Sequence, residues 1–148
     1  MYGNDVRSRV PPVSRKPPLR EFQRAAEFRS ALRGFLRRSE TVAREHDLTP
    51  QRYLLLLMVK GSPDGSESAT VTELADRMQL SQSTITELVA RSEEAGLIER
   101  VNSAADGRVT VVRLTAAGDD RVTATMSSLG PERRRLSKAI SGLSAFIS

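Results

Sequence analysis

The sequence predicts a mainly α-helical fold with one small β-hairpin, and three observations lead to this prediction. Apolar residues recur at helical spacing over most of the chain, aromatic residues make up only 4% of it, and two β-branched segments flank one polar loop. Because aromatic side chains are few, the core must be built from aliphatic residues. With 148 residues, the chain can bury one modest core.

The N-terminal part of the chain divides into an arm and a long helix. Residues 1–19 hold four of the seven prolines and show no periodicity, so we expect a disordered basic arm. Residues 20–46 carry apolar residues every three or four positions, which predicts a helix of ~39 Å. So small a domain cannot cover a helix of that length, and its apolar stripe is expected to be partly intermolecular.

The central segment, residues 47–118, is predicted to begin with three successive helices. Thr49-Pro50 starts the first, since a hydroxyl caps a helix and proline suits its first position. A turn-rich loop at residues 61–68 follows it. The capping-box pattern Thr70-Val-Thr-Glu73 starts the second helix, and Ser81 caps the third, which stops at Gly96.

A hairpin and two more helices complete the predicted order of elements. The β-branched segments 97–101 and 109–114 flank the polar loop 102–108, a pattern that is typical of a hairpin. Thr115 caps a helix that runs to about Ser128, and Gly130-Pro131 breaks it. A last helix is predicted from Pro131 to about Phe146.

A short helix, a tight turn, a second helix and a hairpin together form a winged helix-turn-helix, which presents its second helix to the major groove of double-stranded DNA. The outward face of that helix offers polar side chains suited to base edges or phosphates, namely Gln82, Ser83, Thr84, Thr86, Glu87 and Arg91. Any amphipathic helix has a polar face, however, so this helix alone does not establish DNA binding.

The tip of the hairpin carries the sequence Asp106-Gly-Arg108. An arginine on a protruding loop can enter a narrow minor groove, where the negative potential is enhanced. The carboxylate of Asp106 is placed to brace the side chain of Arg108. Taken alone, the tripeptide is better interpreted as an ordinary turn.

The distribution of charge does not support DNA binding in a simple way. The whole chain has a net charge of +5, but residues 47–118 hold seven basic and ten acidic residues, a balance of −3. The excess of basic residues lies in both terminal regions, where solubility and phosphate contact are equally good interpretations. The placement of individual arginines must therefore decide the question.

Composition excludes several classes of site. The absence of cysteine excludes disulfides and thiolate metal sites, and a single histidine, His46, argues against a histidine metal site. No apolar run reaches a membrane span. We find no set of residues typical of an enzyme, and His46 beside Asp47 is better interpreted as a favourable charge at a helix end. We therefore expect a cytoplasmic, nucleoid-associated protein without enzymatic activity, cofactor or metal.

The central residues also resemble the MarR family of bacterial transcription regulators, by their order and spacing from Leu48 to Gly118. The segments that carry the resemblance are Leu48-Thr-Pro-Gln-Arg-Tyr, Val71-Thr-Glu-Leu-Ala, Leu80-Ser-Gln-Ser-Thr-Ile-Thr-Glu-Leu-Val, Glu94-Ala-Gly-Leu-Ile-Glu-Arg, Asp106-Gly-Arg and Leu114-Thr-Ala-Ala-Gly.

The resemblance implies a homodimer on a near-palindromic operator, with residues 20–46 and 119–148 as the dimerisation region. It places the helix from Gln82 in the major groove and Arg108, braced by Asp106, in the minor groove. Many members bind a small-molecule effector between their two parts, and by this analogy His46 and Tyr53 are candidate pocket residues. A repressor is the expected form of such a regulator.

Three features depart from the family pattern. Glu87 stands where a basic or small residue is common, so it would either repel phosphate or accept a hydrogen bond from cytosine N4. Ser92 replaces a usual apolar residue, and the region after Gly118 is short and broken at Gly130-Pro131. The alternative to a sequence-specific regulator is a winged-helix protein-interaction or architectural module.

Overall fold

The computed structural model describes residues 15–144, in which six helices and the two strands of the hairpin follow the predicted order and one further strand precedes the third helix. The elements are α1 (Leu19–Glu45), α2 (Pro50–Lys60), β1 (Ser68–Ala69), α3 (Val71–Met78), α4 (Gln82–Glu94), β2 (Ile98–Asn102), β3 (Thr110–Leu114), α5 (Ala116–Ser128) and α6 (Gly130–Ser144). Most of the predicted arm, at residues 1–14, and the predicted end of the last helix, at residues 145–148, lie outside the described residues.

Four helices begin where the sequence places a hydroxyl cap. The side-chain oxygens of Thr49, Thr70, Ser81 and Thr115 each accept a hydrogen bond, at 3.2 Å, from the backbone N–H three residues later. Each cap satisfies one of the N–H groups that a helix start leaves without an intrahelical partner. The predicted starts of α2, α3, α4 and α5 are therefore confirmed.

The core is aliphatic, as the composition requires, and α2 lies at its centre. Leu55, Leu56 and Val59 of α2 are fully buried, and α2 packs against α3, α4, α5 and the strands β1 and β3. The helix is apolar nearly all round because neighbours surround it. This core positions α3, α4 and the sheet relative to one another, so the winged helix-turn-helix is one packed frame.

The sheet has three antiparallel strands in the order β1-β3-β2, and the sequence predicted only two of them. The hairpin strands pair in register from Ile98 opposite Leu114 to Asn102 opposite Thr110. The third strand, β1, pairs with β3 at Ala69 opposite Val112. The prediction of a plain loop at residues 61–68 missed it, because two residues are too few to show alternation.

Helices α1 and α6 pack along each other and form the helical base of the molecule. Arg38 on α1 and Glu132 on α6 form an ion pair with an Nε–Oε1 distance of 3.3 Å. The predicted break before α6 is confirmed: only the buried Leu129 separates α5 from α6, although α6 begins at Gly130 and not at Pro131. The base leaves large apolar side chains exposed, among them Leu19, Phe22, Leu36 and Ile140.

Candidate nucleic-acid interface

The second helix of the helix-turn-helix, α4, is held by its buried face. Ile85, Leu88, Val89 and Ser92 face the core at helical spacing, and the side chains on the other face are exposed. All six predicted major-groove residues belong to that exposed set: Gln82, Ser83, Thr84, Thr86, Glu87 and Arg91. The structure thus brings the predicted residues together on one surface.

The first turn of α4 is a small network of hydroxyl groups. The Oγ atom of Ser81 lies 3.1 Å from Ser83 Oγ and 2.8 Å from Thr84 Oγ1. The Gln82 amide donates to Thr72 Oγ1 on α3 at 3.4 Å, a long contact that links the two helices. Hydroxyl groups at a helix start, together with its unpaired N–H groups, suit a phosphate oxygen.

Farther along α4, the structure pairs two of the predicted residues with each other. The Arg91 guanidinium donates through Nη2 to Glu87 Oε1, one helical turn earlier. Both side chains remain about two-thirds exposed, at 65% for Arg91 and 63% for Glu87. The carboxylate that departs from the family pattern is therefore neutralised locally and does not stand alone on the helix.

The wing is shaped by Asp106, which braces the backbone of Arg108 as well as its side chain. Its Oδ1 accepts the backbone N–H of Arg108 at 3.0 Å and lies 3.5 Å from the Arg108 Nε. Across the loop, Ser103 N–H donates to the Val109 carbonyl at 2.7 Å. The side chain of Arg108 is 95% exposed, so a fixed loop presents a guanidinium that projects into solvent.

The arginines of the winged region differ in how firmly they are held. Arg77 donates to the Met58 carbonyl at 2.8 Å, and Arg113 pairs with Glu99 at 2.6 Å. Three more arginines lie between residues 71 and 114. Arg91 pairs with Glu87, and Arg100 pairs with Glu93 at 3.3 Å. The third is Arg108 at the wing. Arg108 has the longest ion pair and the greatest exposure among them. Its side chain can therefore move to a phosphate or a groove with the smallest loss of existing contacts.

The candidate effector residues lie at the junction between the base and the winged helix. His46 Nε2 is 3.2 Å from Ser128 Oγ at the end of α5, and Tyr53 is half-buried on α2. Burial raises the pKa of the Tyr53 hydroxyl, and the positive charge of Arg133 partly opposes that increase. A cleft of about 630 Å³ lies elsewhere, between α1 and α6, and neither His46 nor Tyr53 lines it.

Two residues of this surface were missed by the sequence interpretation. Ala90, which is half-buried, follows Ser83 by two helical turns on the same side of α4, and a methyl group can contact the methyl group of a thymine. Thr72 on α3 supports Gln82. The seven-residue spacing from Ser83 was the available signal for Ala90, whereas the contact of Thr72 depends on how α3 crosses α4.

Comparison with known proteins places this surface in context. Residues 46–109, which run from the end of α1 into the wing, match the family model described as the MarR family. Over this stretch, the chain is similar to that family. Within the described residues, no helix has the length and apolar character needed to cross a membrane.

Two curated relatives match the central part of the chain. The uncharacterized HTH-type transcriptional regulator YdcH of Bacillus subtilis is 33% identical over 82 residues, which are 55% of this chain and 56% of YdcH. The HTH-type transcriptional repressor IacR of Pseudomonas putida is 33% identical over 79 residues, 53% of this chain and 45% of IacR. The chain thus matches about half the length of each relative.

The fold extends the likeness beyond the winged helix. A mutant MarR from E. coli, solved in complex with operator DNA, superposes with a TM-score of 0.64 at 16% identity. The superposition covers 89% of this chain and 96% of that structure. It includes the helical base, so the mainly α fold with a small wing is confirmed over nearly the whole chain.

Proposed function

We propose that the protein is a sequence-specific DNA-binding transcription regulator. The observation that carries the proposal is the pairing of an exposed polar helix, α4, with a projecting wing whose tip arginine, Arg108, is 95% exposed. A helix in the major groove and an arginine in the adjacent minor groove together read sequence and shape. The names of the two curated relatives, both HTH-type transcriptional regulators, support the same role.

The regulator acts as a homodimer on a near-palindromic operator. Leu19, Phe22 and Leu36 of α1 and Ile140 of α6 are each about half exposed or more in the single chain, at 73%, 55%, 52% and 47%. A second copy that covers them removes apolar surface from water and sets the two α4 helices about 34 Å apart, one turn of DNA. Such a dimer works on the chromosome, in the cytoplasm.

We further propose that the protein is a repressor released by a small-molecule effector. IacR is named a transcriptional repressor, and this name supports repression over activation. The contact of His46 with Ser128 joins the end of α1 to the end of α5, and Tyr53 is half-buried on α2. A ligand that contacts these side chains would change how the base holds the winged helix. An effector lowers DNA affinity only by its differential affinity for the two conformers.

The decisive experiment measures binding to DNA from the region upstream of the protein's own gene, by fluorescence anisotropy, against random DNA of equal length. We expect a preference of at least about a thousandfold for one site. We also expect Arg108→Ala to weaken that binding, whereas Arg113→Ala, at an arginine already paired with Glu99, leaves it nearly unchanged. Equal affinity for both DNA molecules across salt concentrations would overturn the proposal.

One observation favours the second candidate, a winged-helix protein-interaction or architectural module. Residues 47–118 have a net charge of −3, and their acidic residues pair with most of the arginines of the wing and α4. Such a module binds a protein partner through the same frame and does not need the projecting arginine. Wild-type binding that Arg108→Ala leaves unchanged would select this candidate.

A further inference from the structure

The ion pair between Glu87 and Arg91 is an unusual feature for a helix that is proposed to face DNA. A lone carboxylate there is repelled by phosphates, and an exposed pair of this spacing contributes little to the stability of the fold. The two side chains nevertheless contact each other, and both remain about two-thirds exposed. The pair is therefore better explained by what it presents outward than by what it holds together.

The pair presents donors beside acceptors in a fixed order. The described contact joins one guanidinium nitrogen, Nη2 of Arg91, to one carboxylate oxygen, Oε1 of Glu87. A guanidinium has five N–H donors and a carboxylate has two oxygens, so each group keeps capacity for a second partner. Because each side chain restrains the other, both are oriented before DNA arrives.

One kind of base pair has the complementary order. In the major groove, a G·C pair shows the guanine acceptors N7 and O6 and then the cytosine N4 donor. An A·T pair interrupts this order with a donor between two acceptors, followed by the thymine methyl group. A guanidinium next to a carboxylate thus fits G·C. On A·T, one guanidinium donor would face the adenine N6 donor, and the carboxylate would face the thymine O4 acceptor.

We propose that Glu87 and Arg91 act as one reading unit for a G·C base pair in each operator half-site. Arg91 donates to guanine O6 and N7, and Glu87 accepts from cytosine N4 of the same pair. This inference rests on the proposed function, since it specifies what the DNA-binding surface of α4 recognises. It also explains why a carboxylate is present on that surface.

The test selects binding sites from random DNA for the full chain and for three variants. Glu87→Gln changes the acceptor-only group to an amide, and Arg91→Lys keeps the charge but loses the planar two-donor geometry. Glu94→Gln is the matched control, because it removes the same charge near the end of the same helix from an exposed side chain. Far-ultraviolet circular dichroism and melting confirm that every variant is folded.

For the wild type we expect one position in each half-site at which G·C is preferred over A·T by about tenfold or more. Glu87→Gln and Arg91→Lys should each reduce that preference to about threefold or less at this position alone. Glu94→Gln should change overall affinity without changing the preference. A selected site whose G·C preferences are the same in Glu87→Gln and Glu94→Gln would overturn the reading unit but leave the proposed function standing. A wild type that selects no site at all would overturn both.

Discussion

Gly118 in the first turn of α5 lies directly against the backbone carbonyl of Leu97, so closely that a Cβ on residue 118 would be 2.0 Å from that oxygen. Two hydrogen bonds hold the approach: Thr115 N–H donates to the Leu97 carbonyl at 3.0 Å, and Thr115 Oγ1 donates to the Gly96 carbonyl at 2.6 Å. This contact fixes the start of α5 to the end of α4 and the start of β2, and α5 leads from there to the helical base.

The first prediction follows from that approach. Gly118→Ala should lower the free energy of unfolding by about 1–3 kcal/mol, because a backbone oxygen cannot move away as a flexible side chain can. Gly34→Ala is the matched control, since a Cβ at residue 34 on α1 meets nothing within 4 Å. It should raise stability by about 0.5–1 kcal/mol through helix propensity. Urea denaturation of both variants checks the difference, and equal effects would contradict the assigned contact.

The second prediction concerns Ser92, a hydroxyl in an apolar environment. Ser92 is fully buried, and its Oγ has no hydrogen-bond partner among the described residues. Removing a buried donor that makes no bond also removes its desolvation cost, so Ser92→Ala should stabilise the fold by about 1 kcal/mol. Thr125→Val tests the reasoning, because the buried Thr125 hydroxyl donates to the Arg121 carbonyl at 2.8 Å. Thr125→Val should not raise the stability of the fold. A similar increase in stability in both variants would contradict the assignment of Ser92 as the unbonded hydroxyl.

The elements that sequence predicted well are those whose signals are local. Thr49, Thr70, Ser81 and Thr115 were identified as helix starts because a hydroxyl followed by an apolar pattern needs no tertiary information. The exposed residues of α4 followed from the 3.6-residue period in the same way. The fold class and the set of candidate DNA-facing residues were therefore predictable from the sequence alone.

The features that sequence missed depend on contacts between distant segments. Ala69 belongs to a strand because Val112 lies opposite it, and nothing within residues 61–69 signals that partner. The pairing of Lys60 with Asp119 likewise needs α2 and α5 to be neighbours. The i,i+4 spacing of Glu87 and Arg91 allows their pairing, but spacing alone does not show which partner an exposed side chain takes.

The third prediction concerns Lys60, whose ammonium group joins three segments. At the end of α2 it contacts Glu67 in the loop before β1 and lies 2.7 Å from Asp119 at the start of α5. Hydrogen bonds to these carboxylates raise the pKa of Lys60 above its ordinary value. Lys60→Gln should speed amide hydrogen exchange in residues 61–69 and in the first turn of α5. Lys138→Gln, which removes the same charge from α6, should leave that exchange unchanged.

The fourth prediction tests the role of the exposed apolar side chains of the base. The wild type should scatter light as a dimer of the 16.3 kDa chain. Replacing Leu36, which is 52% exposed on α1, by Asp places a charge in the proposed interface and should shift the mass towards the monomer. Val109→Asp, at a residue 38% exposed beside the wing, is the control and should remain dimeric. A monomeric wild type would remove the basis for a palindromic operator.

The last prediction uses the titration of Tyr53. Burial favours its neutral form, so its pKa in the folded chain lies above the ordinary value of 10.0. A raised folded-state pKa stabilises the fold fully below pH 10.0, and that contribution is lost as the pH rises through the higher native value. Tyrosinate absorbance should therefore show a component that titrates late and that Tyr53→Phe removes. Because Arg133 lowers the pKa of Tyr53, Arg133→Gln should move the late component to still higher pH. A late component that persists in Tyr53→Phe would show that Tyr53 is not the group in the desolvated environment.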